Sequence, residues 1–128
     1  MTNPKLLVID DDPMTCRLIE MVLQMEDYRT TSENYIGEEG IIAILNDKEP
    51  DMVILDIHLG SKETLEELRA IRTSRNWRKL PILMTSAIDR RQASLQAGAN
   101  DFILKPFDWQ VLLERVNKMR DNFIFQEV

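Results

Sequence analysis

Pro50-Asp51-Met52-Val53-Ile54-Leu55-Asp56 decides how this chain is read: the unbroken apolar run 52–55, introduced by Pro50-Asp51 and closed by a carboxylate. A short continuous run of this kind reads as a β-strand buried on both faces. Three other runs share the form. Leu6-Leu7-Val8-Ile9 ends in Asp10-Asp11, Ile82-Leu83-Met84 ends in Thr85-Ser86, and Phe102-Ile103-Leu104 ends in Lys105-Pro106. In an open parallel sheet, ligands bind beyond the carboxyl ends of the strands. The runs therefore bring Asp10, Asp11, Asp56, a hydroxyl and the Lys105 ammonium to one edge. That set suits a divalent cation and a phosphoryl group.

Between the runs the apolar spacing turns helical. Asp12-Pro13 is an N-cap followed by proline in the first helical position, and it predicts a helix over 13–25. Met14, Leu18, Met21, Val22 and Met25 form its periodic set. Residues 28–31 read as a short strand near the sheet edge. Ile36, Ile41, Ile42, Ile44 and Leu45 give a second helix, weakened by Gly37 and Gly40 and ended before Pro50. A polar turn follows Asp56 and leads to a helix carrying Leu65, Leu68 and Ile71. Residues 73–80 are a loop in which Trp77 is expected to anchor over the core edge. Asp89 is expected to cap a short helix that Gly98 stops. Asp108 caps a last helix with Leu112, Leu113, Val116 and Met119 on its inner face. Strands alternating with helices make a parallel sheet with right-handed crossovers, covered on both sides.

The 128 residues suffice for one domain with a core that needs no disulfide or metal staple. A formal charge of −6 argues against direct nucleic-acid binding, which needs Lys and Arg patches. A single cysteine, Cys16, excludes an internal disulfide, fits a reducing compartment and is read as a small inert residue. No apolar stretch approaches the length of a membrane span and no leader precedes the first strand, so the expectation is a cytoplasmic protein without membrane contact.

The order of these motifs resembles the response-regulator receiver domain of two-component signalling, the family of the chemotaxis receiver. Val8-Ile9-Asp10-Asp11, the run 50–56, Thr85-Ser86-Ala87, Gln96-Ala97-Gly98-Ala99 and Leu104-Lys105-Pro106-Phe107 carry it, and it extends from about residue 5 to 119. The resemblance implies a flavodoxin-like, doubly wound α/β fold with five parallel strands in the order 2-1-3-4-5. It places the receiver over 1–120, with 121–128 a C-terminal tail or the start of a linker helix. It implies that Asp56 accepts a phosphoryl group from a phosphohistidine donor. Mg²⁺ or Mn²⁺ would be bound by Asp11 and Asp56 directly, by Asp10 through water and by the main-chain carbonyl of His58. Lys105 would balance charge, and Lys105-Pro106 would be a cis peptide. Ser86 would donate to the phosphoryl group. Its movement would release space for Phe102, reshaping the face made by the fourth helix, fifth strand and fifth helix. His58 and Ile88 stand where the rate of dephosphorylation is tuned. Chemistry would be confined to self-phosphorylation and autodephosphorylation. The implied partners are a sensor histidine kinase or histidine phosphotransfer protein, with an output domain or a homodimer through the last helix.

Some positions depart from the pattern. Gly60 stands where the family often has proline and Thr64 where it often has glycine, and the stretch from Ala87 to Gly98 is short, predicting a short or displaced fourth helix. Phe102 lacks the hydroxyl of the commoner tyrosine. Trp109 reads as an exposed interaction residue or a partly buried one. Phe123, Ile124 and Phe125 fold back, begin a linker helix, make a dimer contact or fray. Two other functions are available to such a sequence. One is a pseudo-receiver that only binds partners, against which the intact Asp10, Asp11, Asp56, Ser86 and Lys105 argue. The other is a haloacid-dehalogenase-type phosphatase, for which Asp10 and Asp12 have the right spacing, but Met14 stands where threonine or valine is required.

Overall fold

The apolar runs form the centre of the sheet. The computed structural model describes residues 3–125. Five strands, β1 (Lys5–Ile9), β2 (Arg29–Glu33), β3 (Met52–Asp56), β6 (Ile82–Ser86) and β7 (Asp101–Leu104), make one parallel sheet in the order β2-β1-β3-β6-β7. Counting only these strands, the order is 2-1-3-4-5. Every residue of β3 and β6 is buried, whereas β2 at the edge is partly exposed throughout.

Alternation along the strands splits the core into two layers. Leu7, Ile9, Val53, Leu55, Ile82 and Met84 face one side, with Leu45 of α2 (Ile41–Lys48) and with Leu68 and Ile71 of α3 (Leu65–Thr73). Ala97 of α4 (Arg91–Ala97) joins the same layer. Leu6, Val8, Met52, Ile54, Leu83 and Ile103 face the other, with Ile19 and Leu23 of α1 (Pro13–Met25) and with Leu112, Val116 and Met119 of α5 (Trp109–Phe123). The register pairs Ile9 with Leu55 and Asp56 with Thr85, so the carboxyl ends of β1, β3 and β6 are level.

Several local expectations are corrected. Helix α1 has the predicted bounds and cap, but its core face is Cys16, Ile19 and Leu23; Met14, Leu18, Met21 and Met25 are exposed. Both stripes have helical period, and the side on which the sheet lies chooses between them. Strand β2 begins one residue later and runs two further than read, because Tyr28 is buried with its hydroxyl donating to Asn117 Oδ1 at 2.5 Å. Helix α2 starts only at Ile41, since Gly40 has φ 85°; Ile36 packs from the preceding loop. Helix α4 is short, as expected, but Arg90 holds the cap position, and Asp89 instead accepts the Arg91 N–H at 3.1 Å.

An extra element follows β3. Strands β4 (His58–Leu59) and β5 (Lys62–Glu63) form a hairpin around Gly60-Ser61, with φ 61° at Gly60. Glycine in the first of two turn positions is the usual device for such a loop. Trp77 packs on the core edge and donates to Asn46 Oδ1 at 2.9 Å. Trp109 lies edge-on to Phe107 at 5.5 Å between ring centres. Helix α5 reaches Phe123, which is half exposed, while Ile124 packs back on the α1–α5 layer and Phe125 lies under the Arg120 guanidinium. Residues 126–128 of the anticipated tail lie outside the described residues.

Gly98 closes α4 with φ 114°, and a Cβ there would meet Arg72 Cγ at 2.7 Å. Arg72 is not free to yield. It donates to the carbonyls of Gly98 at 2.8 Å and Leu80 at 2.7 Å, and to Asn100 Oδ1 at 2.9 Å. Gly98→Ala is therefore expected to cost about 1–3 kcal/mol, through positive-φ strain and loss of these bonds. A urea midpoint equal to that of wild type would refute this account of the α4 terminus.

Candidate functional site

Topology alone brings the acidic residues together. Asp10 follows the last residue of β1, Asp56 ends β3 in the adjacent strand, and their oxygens lie with those of Asp11 within 4.8 Å of one another. Asp10 and Asp56 are buried and Asp11 is exposed. Lys105, just beyond β7, extends its ammonium between them, with Nζ 2.7 Å from Asp10 Oδ2 and 3.1 Å from Asp56 Oδ2. Its own backbone N–H continues the ladder to Ser86 O at 2.8 Å, and the Lys105-Pro106 peptide is cis.

Each carboxylate is held differently. Asp10 is satisfied on both oxygens, by Lys105 and by the Asp12 N–H at 2.9 Å. Asp11 accepts the Gly60 N–H on Oδ2 at 2.9 Å. Asp56 has Lys105 on Oδ2 and only a long 3.4 Å approach of the His58 N–H to Oδ1, while its main-chain carbonyl accepts the buried Thr64 hydroxyl at 2.8 Å. Burial pushes the Asp56 carboxyl above its ordinary range; Lys105 opposes this and the Asp10 charge adds to it. Burial alone would lower the Lys105 ammonium, but its contacts with Asp10 and then Asp56 outweigh that and hold it above the usual lysine range. Burial, then the Asp10 charge, pushes the Cys16 thiol up to about 11, as befits an inert residue.

Three carboxylates beside one ammonium leave an excess of negative charge in a partly desolvated site. Hard oxygen donors in that excess fit a divalent cation. Asp12 takes no part: it is exposed, and its side chain caps α1 through the Met14 N–H. The spacing that Asp10 and Asp12 share with a phosphatase motif therefore brings only one of them into the cluster.

The remaining predicted residues lie on β6, β7 and the segments that follow β3 and β6. The Ser86 hydroxyl is fully buried at the end of β6; its Oγ accepts the Ile88 N–H at 3.1 Å, and among the described residues it makes no hydrogen bond to Asp56. Thr85 is also buried. Phe102 is buried in the layer that carries α2, α3 and α4, and Ile88 is exposed at the rim. The His58 side chain is partly exposed and faces Glu63, with Nε2 at 3.3 Å from Oε2. Sequence reasoning missed three things here. The stronger partner of Lys105 is Asp10, a pairing across 95 positions that no local pattern reports. The roles of Gly60 and Thr64 were visible only as departures, although a Gly-Ser pair is itself a turn signal.

The sequence profile of the response regulator receiver domain matches residues 6–117. Among curated relatives, the DNA-binding dual master transcriptional regulator RpaA of Synechocystis sp. is 30% identical over 119 residues, covering 91% of this chain and 48% of its own length. The response regulator ArlR of Staphylococcus saprophyticus is 34% identical over 115 residues, covering 90% of this chain and 51% of its own. The chain thus spans about half the length of these relatives. Among solved structures, NtrX from Brucella abortus superposes with a TM-score of 0.82 at 27% identity, over 98% of this chain and 28% of that one. Among the described residues no helix is long and apolar enough to cross a membrane.

The raised Asp56 carboxyl has a consequence for stability. The folded state binds its proton more tightly than the unfolded chain does, so the charged form opposes folding above its unfolded range and the opposition fades as pH falls. In EDTA at pH 7, Asp56→Asn should melt above wild type, and the gap should narrow both at lower pH and in excess Mg²⁺. Identical melting curves across that range would show that the carboxylate is not the disfavoured species.

Proposed function

The chain belongs to the response regulator receiver family, and within it we propose that Asp56 takes a phosphoryl group from a phosphohistidine donor with the help of Mg²⁺. As a receiver, it catalyses only its own phosphorylation and dephosphorylation. The observation that carries the proposal is the convergence of Asp10, Asp11 and Asp56 around the Lys105 ammonium at the carboxyl edge of the sheet.

An ionised carboxylate needs no general base to attack phosphorus. A carboxylate oxygen of Asp56 forms the new O–P bond as the P–N bond of the donor breaks, and the imidazole leaves with the electron pair. The difficulty is electrostatic, since an anion must approach an anion. Lys105 already touches Oδ2 of Asp56 at 3.1 Å and supplies one positive charge that moves with the transferring group. When bound, Mg²⁺ would supply the rest; Asp11, Asp56 and the His58 carbonyl would hold it, with Asp10 acting through water. The satisfied oxygens of Asp10 suit that indirect role.

The reading of the phosphorylated state rests on Ser86. To donate to the phosphoryl group, the hydroxyl turns from its place beside the Ile88 N–H, and the loop between β6 and α4 follows. Phe102 then moves into the released space, and the face of α4, β7 and α5 changes shape. Ring packing alone drives that step. Phosphorylation shifts the equilibrium only by its differential affinity for the two arrangements. The proposed upstream partner is a histidine kinase or a histidine phosphotransfer protein. The proposed downstream partner is an output domain, in line with relatives twice as long, one of them named as DNA-binding.

Incubation with acetyl phosphate and Mg²⁺, read by intact mass, tests the assignment. Wild type should gain a single phosphoryl mass, Asp56→Asn none, and Lys105→Ala should react roughly 100-fold more slowly, the usual scale for losing one stabilising donor. Phosphorylation surviving in Asp56→Asn, or absent from wild type, would overturn the proposal.

A further inference from the structure

The hairpin after Asp56 should not hold its shape alone. Each of its strands has two residues, and of residues 58–63 only Leu59 is buried. An isolated two-stranded hairpin is marginal in water even when longer. Yet its backbone touches two of the three clustered acids: the Gly60 N–H donates to Asp11 Oδ2 at 2.9 Å, and the His58 N–H approaches Asp56 Oδ1 at 3.4 Å. The His58 carbonyl is also the main-chain ligand proposed above.

What holds it from across the site is Arg90. This residue stands at the start of α4, four positions beyond Ser86, on the loop that flanks Asp56 from the other side. Its guanidinium grips Glu63 with both ends, Nη1 to Oε2 at 2.9 Å and Nη2 to Oε1 at 3.3 Å. Glu63 lies directly opposite His58 in the hairpin register, and its Oε2 also faces His58 Nε2 at 3.3 Å. The remaining ion pair of the hairpin, Lys62 Nζ to Glu67 Oε1 at 2.7 Å, ties it only to the helix that follows. Among the described residues, Arg90 is therefore the side-chain link from the hairpin to the opposite wall.

We infer that Arg90 is a positioning residue: by gripping Glu63 it fixes the hairpin whose backbone forms one wall of the cation site. The inference rests on the metal reading given above. A forked guanidinium on a carboxylate fixes orientation as well as distance, which a lysine at the same place does not. Its geometric effect also opposes its Coulomb effect. Arg90 is a positive charge near the site, so by charge alone its removal strengthens Mg²⁺ binding. If it acts by holding the hairpin, its removal weakens binding.

The test uses the full chain without phosphorylation. Mg²⁺ affinity is measured by calorimetric titration for wild type, Arg90→Ala, Arg90→Lys, Glu63→Gln and the double variant Arg90→Ala/Glu63→Gln. Amide hydrogen exchange at Gly60, Glu63 and Thr64 is followed in EDTA. Arg90→Ala should weaken Mg²⁺ roughly tenfold, at the low end for outer-shell partners, with Glu63→Gln close to it and the double variant no worse than either. Arg90→Lys should recover only part, and hairpin amides should exchange faster in Arg90→Ala at an unchanged unfolding midpoint. Unchanged or tighter Mg²⁺ binding in Arg90→Ala, or losses that add in the double variant, would overturn the positioning role alone. A wild type that takes up no Mg²⁺ would overturn the cation reading together with it.

Discussion

Three carboxylates crowd an edge where the fold provides one ammonium. Parallel topology imposes that crowding, because it carries the ends of β1 and β3 to the same side and the register sets Asp10 beside Asp56. Every other feature of the site answers the resulting charge. Lys105 sits between the two buried acids, the Asp12 N–H takes the far oxygen of Asp10, and the Gly60 N–H takes one oxygen of Asp11. Of the two buried acids, Asp56 receives less. Its Oδ1 has only a long contact, and burial holds its carboxyl high. The buried acid left less compensated is the one proposed to react, and the shortfall is of the kind a hard cation makes good.

Much of this was legible in the sequence because burial on both faces removes polar alternation from a strand. The runs at Leu6, Met52 and Ile82 therefore announce themselves, and the residues that end them mark the site. Asp12, Asp108 and Gly98 were legible for a similarly local reason, as cap chemistry acts within a few positions. The core face of α1 was not. Met14, Leu18, Met21 and Met25 repeat with the same period as Cys16, Ile19 and Leu23, and only the position of the sheet separates the two sets. The choice of Asp10 by Lys105 is equally nonlocal.

Gly60 and Thr64, which look like losses when compared with the family pattern, each supply a hydrogen bond that the usual residue cannot. Proline has no N–H to give Asp11, and glycine has no hydroxyl to give the Asp56 carbonyl. Glycine also takes the positive φ that turns the hairpin at position 60. Thr64, fully buried, fixes the other end of the same segment to the strand that ends in Asp56. The two positions therefore serve one element, a hairpin fastened at both ends to the strand-end acids.

That hairpin sets a poorly buried segment against the cluster of Asp10, Asp11 and Asp56. Local stability falls where apolar contacts are few and backbone hydrogen bonds face water. The core beneath β3 gives the hairpin little, since only Leu59 inserts. Its order depends on the polar links at Asp11, Thr64 and Arg90, two of which reach the acids directly. Binding at the acids and order in the hairpin are for that reason one equilibrium: a ligand that favours the closed hairpin is itself favoured by whatever closes it. On the proposed cation reading, surface charge on the loop before α4 thus becomes a means of setting affinity without altering the acidic cluster itself.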